Sequence, residues 1–104
     1  MRVVYLIREP APSRDIEEAK NFGRIQLCIH RNESNLGMGP LLNRLRSTLR
    51  DYEEGDYILW AGGDWVTLVA LGVFLKESNF KTVDLLVWRK LGSEGAYVPR
   101  RMVL

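Results

Sequence analysis

Short apolar stretches, separated by polar segments that contain glycine or proline, run along the whole chain. Stretches rich in β-branched and aromatic residues, or with strict apolar–polar alternation, are typical of β-strands. The second stretch alternates most clearly, because Ile25, Leu27 and Ile29 fall on one face. The pattern predicts five strands, at residues 2–8, 24–31, 57–61, 83–89 and 96–104.

The segments between the first four strands have helical periodicity. Ser13 to Phe22 is predicted to be a short helix that Ser13 caps and Gly23 ends. After a loop over Asn32–Pro40, a second helix begins near Pro40. Its apolar face consists of Leu41, Leu42, Leu45, Leu49 and Tyr52. The third helix, Trp65 to Leu75, is apolar on every side, which predicts a helix packed into the core.

The order of elements, β-α-β-α-β-α-β-β, predicts one compact α/β domain over residues 1–104. Strands that alternate with helices favour a mostly parallel sheet with right-handed crossovers and helices packed on it. A turn at residues 92–95 joins the last two strands into an antiparallel hairpin at one edge of the sheet. Pro99 suits an edge strand, since such a strand can spare one N–H group.

Composition and charge exclude several classes of protein. Fifteen cationic and thirteen anionic side chains leave a net charge of +2, which argues against a nucleic-acid coat or a polybasic membrane binder. A single cysteine excludes an internal disulfide and agrees with a reducing compartment. Neither a signal peptide nor a membrane span is readable, so we expect a cytoplasmic protein without membrane contact.

Polar residues and glycines follow the predicted strands where they end. In sheets of this kind, ligands bind beyond the carboxyl ends of the strands, and helix N-termini with arginines suit an anion. The hypothetical site for a small phosphate- or carboxylate-bearing ligand consists of Arg8, Arg31, Gly62, Gly63, Asp64 and Arg89. The alternative interpretation is that strands simply end in water, and that Asp64 only caps the third helix.

Catalytic and metal-binding chemistry find little support in the sequence. His30, the only histidine, lies two residues after Cys28, so the two side chains share a strand face. A nucleophilic pair would need a pocket that stabilises the thiolate, and the simpler interpretation is a buried Cys28 and a polar strand end at His30. One histidine and one cysteine cannot supply a zinc site. We therefore expect no catalytic residue, no metal and no cofactor.

Two arginine clusters and an aromatic pair form a second hypothetical surface, for a protein or a nucleic acid. Arginine supplies eleven of the fifteen cations, which favours bidentate contacts to carboxylate or phosphate. The low net charge, and the lack of aromatic residues between the helix arginines, favour a solvated helix face or a contact surface for an acidic protein over nucleic acid. Trp60 and Trp65 are predicted to pack. The candidate residues are Arg44, Arg46, Arg50, Trp88, Tyr97, Arg100 and Arg101.

Three stretches of the C-terminal half, Tyr57–Asp64, Leu85–Arg89 and Tyr97–Pro99, follow a recognisable pattern. An apolar strand runs into a Gly-Asp turn and an apolar helix, and Leu-Leu-x-Trp and Tyr-x-Pro strands follow. In this, the segment from Asp56 to Leu104 resembles a family of small uncharacterised proteins of tailed bacteriophages. Trp65 departs from the pattern, which has proline there. The resemblance implies a phage origin and the fold, and it transfers no catalytic residue.

These observations predict a small phage accessory protein that acts by binding and without catalysis in the host cytoplasm. Its expected partner is a host or phage protein, or a small anionic ligand such as a nucleotide. Nucleic-acid binding is an alternative, and an enzyme acting on a nucleotide or phosphoester has the least support. The exposed edge of the terminal hairpin is a candidate homodimer contact, because unpaired edges invite pairing.

Overall fold

A computed structural model describes residues 2–10, 16–30, 33, 37–61, 65–92 and 94–104. These residues form five strands, two α-helices and one short 3-10 helix. The strands are β1 (Val3–Arg8), β2 (Arg24–Ile29), β3 (Tyr57–Leu59), β4 (Thr82–Leu91) and β5 (Glu94–Val103). The α-helices are α1 (Met38–Leu49) and α2 (Trp65–Glu77), and the 3-10 helix is Glu17–Asn21.

One five-stranded sheet has the strand order β2-β1-β3-β4-β5. The first four strands are parallel, and β5 pairs antiparallel with β4 from Thr82↔Val103 to Leu91↔Glu94. The predicted α/β class and the mostly parallel sheet with a terminal antiparallel hairpin are confirmed. Because β2 lies on one side of β1 and β3 on the other, the chain reverses its winding between β1 and β3. Sheets of this type bind ligands at such a switch point.

Both α-helices cover the same face of the sheet. Leucines of α1 and the buried side of α2 pack against side chains from β1, β3 and β4. The predicted apolar face of α1 is confirmed, because Leu41, Leu45 and Leu49 are almost completely buried. The sheet contributes Tyr5, Ile7, Ile58 and Val83 to this core.

On the opposite face of the sheet, the described residues place the 3-10 helix and no α-helix. Tyr97 of β5 packs there with Val4, Leu6 and Ala19. The prediction of a helix over Ser13–Phe22 is therefore wrong for the described part, which is a five-residue 3-10 helix. Ile16, Ala19 and Phe22 all belong to this core and recur every three residues, which is the period of a 3-10 helix. The predicted cap, Ser13, lies outside the described residues.

The hairpin is longer and its turn tighter than the sequence predicts. Only two residues, 92 and 93, separate β4 from β5, so the predicted turn over 92–95 is wrong at its second half. Gly92 has a φ of 63°, which suits a two-residue hairpin loop. Gly95 pairs with Lys90 inside the ladder, and a Cβ atom there would overlap the ring of Trp88. This glycine therefore serves strand packing and not the turn.

A buried carboxylate closes the amino end of the sheet. Asp56 precedes β3 and is only 6% exposed. Its Oδ1 accepts a hydrogen bond from the backbone N–H group of Val3 at 2.9 Å, and its Oδ2 accepts one from the backbone N–H group of Glu53 at 2.9 Å. The side chain thus ties the start of β1 to the turn before β3. Hydrogen bonds to a charged acceptor contribute about 1.5–3 kcal/mol each.

Candidate functional site

Arg8 ends β1 beside the switch point of the sheet and is 9% exposed. Its Nη1 donates a hydrogen bond to Oγ1 of Thr67 at 3.1 Å. Thr67 lies in the first turn of α2 and is fully buried. A guanidinium is thus held beside the positive end of a helix dipole, and this combination favours a negative charge nearby.

The other residues of the hypothetical anion site are only partly described. Arg31 and the Gly62–Asp64 segment lie outside the described residues, so their role stays a prediction. Arg89 is exposed on β4, opposite Ala96 of β5, and β3 separates its strand from that of Arg8. Thr67 was missed by the sequence analysis, although a lone polar residue early in an apolar helix is the signal that could have found it.

A second polar group lies where β2 ends. His30 Nδ1 is 4.0 Å from Glu9 Oε1, and the N–H group of His30 donates to Glu33 Oε1 at 3.0 Å. Glu33 also forms an ion pair with Arg44 of α1. Glu33 was not among the predicted site residues, because it lies in a loop whose sequence has no periodic pattern. Its carboxylate compensates one of the arginines of the predicted basic face.

Burial does not favour a nucleophilic role for Cys28. The thiol is 2% exposed, and burial raises its pKa to about 12. A thiol with this pKa is protonated at neutral pH and is a poor nucleophile. Its interpretation as a small buried apolar residue is confirmed. Within the ranges that the structure describes, no three histidine, cysteine or acidic side chains cluster in a way that could hold a metal ion.

The predicted basic face of α1 is largely compensated by carboxylates. Arg46 Nε donates to Glu77 Oε2 of α2 at 3.1 Å, and this hydrogen bond raises the pKa of Arg46 and lowers that of Glu77. Arg44 pairs with Glu33, and Arg50 is exposed at the end of the helix. Two of the three helix arginines thus have carboxylate partners, which reduces the positive charge that a nucleic acid would meet on this face.

The aromatic pair of the hairpin divides between core and surface. Trp88 and Tyr97 lie opposite each other, with ring centroids 4.9 Å apart in an edge-to-face arrangement. Tyr97 is buried, whereas Trp88 is 41% exposed. Nearby, Arg101 Nε donates to Asp84 Oδ1 at 3.0 Å, which raises the pKa of Arg101, and Arg100 is exposed. Of this pair, therefore, Trp88 is the one whose aromatic ring is exposed to solvent.

The outer side of α2 presents a continuous apolar surface to solvent. Trp65 is 72% exposed, Leu68 55% and Val69 44%, and Val73 is also exposed. Together with Gly72 and Lys76, these residues fall within an arc of about 140° at helical spacing. We call the six residues the α2 stripe: Trp65, Leu68, Val69, Gly72, Val73 and Lys76.

The predictions that α2 is buried on all sides and that Trp65 packs are therefore wrong. The sheet covers one side of the helix through Thr67, Ala70, Leu71 and Phe74, and α1 covers one flank only. The four exposed apolar side chains of the stripe present on the order of 400 Å² to solvent, an area typical of interaction sites on monomers. The helix α2 is thus apolar on every side although only the side that faces the sheet is buried.

Several cavities open at the amino end of the sheet. The most polar of them has a volume of about 440 Å³ and is lined by Ser47, Thr48, Asp51 and Asp56, among others. Asp56 is already committed to the backbone of Val3 and Glu53. This cavity lies at the end of the sheet opposite to Arg8, so it is separate from the hypothetical anion site.

A family model described as "Phage Pam3 gp32-like protein" matches residues 2–103. The chain belongs to this phage protein family. The predicted phage origin is confirmed, and the match extends beyond the C-terminal half to nearly the whole chain. No curated protein and no solved structure matches the chain.

Two surfaces of this phage protein stand out among the described residues. One is the α2 stripe, which is apolar and carries a single charge. The other is the carboxyl end of the sheet around Arg8, which is polar. Among the helices of the described ranges, none is long and apolar enough to span a membrane.

Proposed function

We propose that this phage protein acts in the cytoplasm of the infected cell by binding another protein, without catalysis, and that the α2 stripe is the binding surface. The exposure of Trp65 carries the proposal. Single exposed apolar residues are common on monomers, but a tryptophan that continues into three aliphatic side chains forms a patch. Tryptophan is also enriched among the residues that contribute most to protein–protein binding.

The environment of the stripe supports a protein partner over a charged ligand. Its only charged residue is Lys76, at one end, and the nearest ion pair joins Glu77 to Arg46 on the flank toward α1. An apolar centre with charges at the periphery is the usual anatomy of a protein interface.

Site-specific photo-cross-linking tests this function. A photoreactive amino acid at Val69 is expected to give a covalent adduct with a protein in infected cells. The same amino acid at Asn43, exposed on α1, serves as the control and is expected to give none. Leu68→Asp should remove the adduct formed from Val69. The absence of an adduct from Val69, or equal adducts from both positions, would overturn the proposal.

A second candidate function is the binding of a small anion at the carboxyl end of the sheet. The buried guanidinium of Arg8 beside the first turn of α2 favours it. Ligand binding to the folded state raises the melting temperature by mass action, so a thermal-shift screen against nucleotides and phosphate tests it. A selective shift that disappears in Arg31→Ala or Arg89→Ala is expected. A uniform salt effect would contradict anion binding.

A further inference from the structure

The α2 stripe is complementary to a second copy of itself when the second helix runs in the opposite direction. Its bulky residues, Trp65 and Leu68, lie in the N-terminal half, and Gly72 lies in the C-terminal half. A two-fold axis that passes between residues 70 and 71 brings Trp65 opposite Lys76 and Val69 opposite Gly72, near the centre line of the stripe. Each contact occurs twice, as an isologous interface requires.

Gly72 provides the recess in this arrangement. A Cβ atom at Gly72 would meet nothing within 4 Å, so the helix surface is open there. Val69 of an antiparallel neighbour fits this recess, because a missing side chain lets two helices approach closely. Packing of a side chain into a gap on the facing helix is the general geometry of helix pairs.

The charges favour the antiparallel orientation. A parallel pair would place Lys76 against Lys76, and like charges in contact destabilise an interface. In the antiparallel pair the two lysines are about 16 Å apart along the helix axes, from a rise of about 1.5 Å per residue. Each ammonium group then faces the ring of Trp65 on the other copy, an arrangement that stabilises a cation.

We propose, on the basis of the proposed function, that the protein bound by the α2 stripe is a second copy of this chain, paired through antiparallel α2 helices. The hairpin edge is less suited to this contact, because Pro99, Arg100 and Arg101 lie on β5, and proline and charge oppose edge pairing. The stripe buries roughly 1,000 Å² in total in such a pair, at the lower limit of specific interfaces. We expect a dissociation constant on the order of 10 µM.

Light scattering and sedimentation of the full chain test the proposal. Protein concentrations from about 1 µM to about 500 µM lie on both sides of the expected dissociation constant. The mass is expected to rise from 12.0 kDa toward twice that value. Gly72→Glu fills the recess and should keep the chain monomeric, with at least a tenfold weaker association. It should fold as well as the wild type, since Glu has a higher helix propensity than Gly. Ser47→Glu on exposed α1 is the matched control and should still dimerise.

Disulfide cross-linking tests the direction of the two helices. A mixture of the Trp65→Cys and Lys76→Cys variants is expected to form an intermolecular disulfide faster than either variant alone, because both leave the recess at Gly72 open and like positions are about 16 Å apart along the axes. The native Cys28 does not interfere, because it is buried. Faster cross-linking of Lys76→Cys alone would overturn the antiparallel register.

Two further outcomes would overturn the homodimer, and one of them leaves the proposed function intact. A wild-type chain that stays monomeric at every concentration, while Val69 cross-links to a different protein in infected cells, would exclude self-association and support binding to that protein. A wild-type dimer that Gly72→Glu does not weaken would place the contact on another surface.

Discussion

The helices α1 and α2 pack side by side on the same face of the sheet, yet their outer sides differ completely. On α1, Leu41, Leu45 and Leu49 are buried, and arginines and polar residues face the solvent. On α2, the buried side is equally well packed, but Trp65 and Leu68 face the solvent. An apolar helix surface therefore need not be covered by its own chain. The sequence of α1 fits the monomer, whereas that of α2 fits the bound state that we propose.

Replacing one leucine by alanine on each helix should give the largest difference between α1 and α2 in the free energy of unfolding. Leu45→Ala removes a fully buried side chain and should lower the free energy of unfolding by about 3 kcal/mol, because a cavity remains. Leu68→Ala removes an exposed side chain and should change the free energy of unfolding by less than about 0.5 kcal/mol. Urea unfolding at low micromolar concentration, where the monomer dominates, measures both. Equal losses would show that Leu68 is covered in the monomer.

Gly72→Ala should have a moderate effect of the opposite sign and raise the free energy of unfolding. A methyl group at this position meets open space, and alanine has the higher helix propensity, so the monomer should gain about 0.5–1 kcal/mol. The same methyl group should weaken self-association. Thermal unfolding and light scattering measure the two effects separately. A loss of monomer stability would mean that the outer side of α2 is already packed.

Glu77→Gln should have the smallest effect. The ion pair with Arg46 joins the exposed flanks of the two helices and lowers the pKa of Glu77. A lowered carboxyl pKa stabilises the fold above the ordinary pKa of the group, and this contribution is lost as the pH falls through the lowered value. The variant should melt slightly below the wild type at neutral pH and together with it in strong acid. A difference that persists in acid would exclude this ion pair as its cause.

The sequence predicts those elements in which the apolar residues recur at a single clear spacing, that of a strand or that of an α-helix. The alternation of Ile25 and Leu27 and the leucines of α1 identify their elements directly. The 3-10 helix was missed because three apolar residues at a spacing of three, Ile16, Ala19 and Phe22, also agree with an α-helix over so short a segment. Gly95 resembles a turn residue, and only the position of Trp88 across the hairpin explains it.

The candidate sites were harder to predict, because they depend on long-range packing. The contact between Arg8 and Thr67 joins residues 59 positions apart and requires the order of the strands. The pairing of Arg46 with Glu77 requires α1 and α2 to be neighbours. Whether Trp65 faces the core or the solvent depends on how many sides of α2 the rest of the chain covers. A sequence pattern contains no measure of that coverage.

The central position of β1 also has a consequence for synthesis of the chain. Along the chain β1 precedes the other strands of the sheet, but it lies between β2 and β3 and needs both for its backbone hydrogen bonds. One edge of β1 therefore stays unpaired until residue 59 has emerged from the ribosome. The complete sheet cannot form before that point in synthesis.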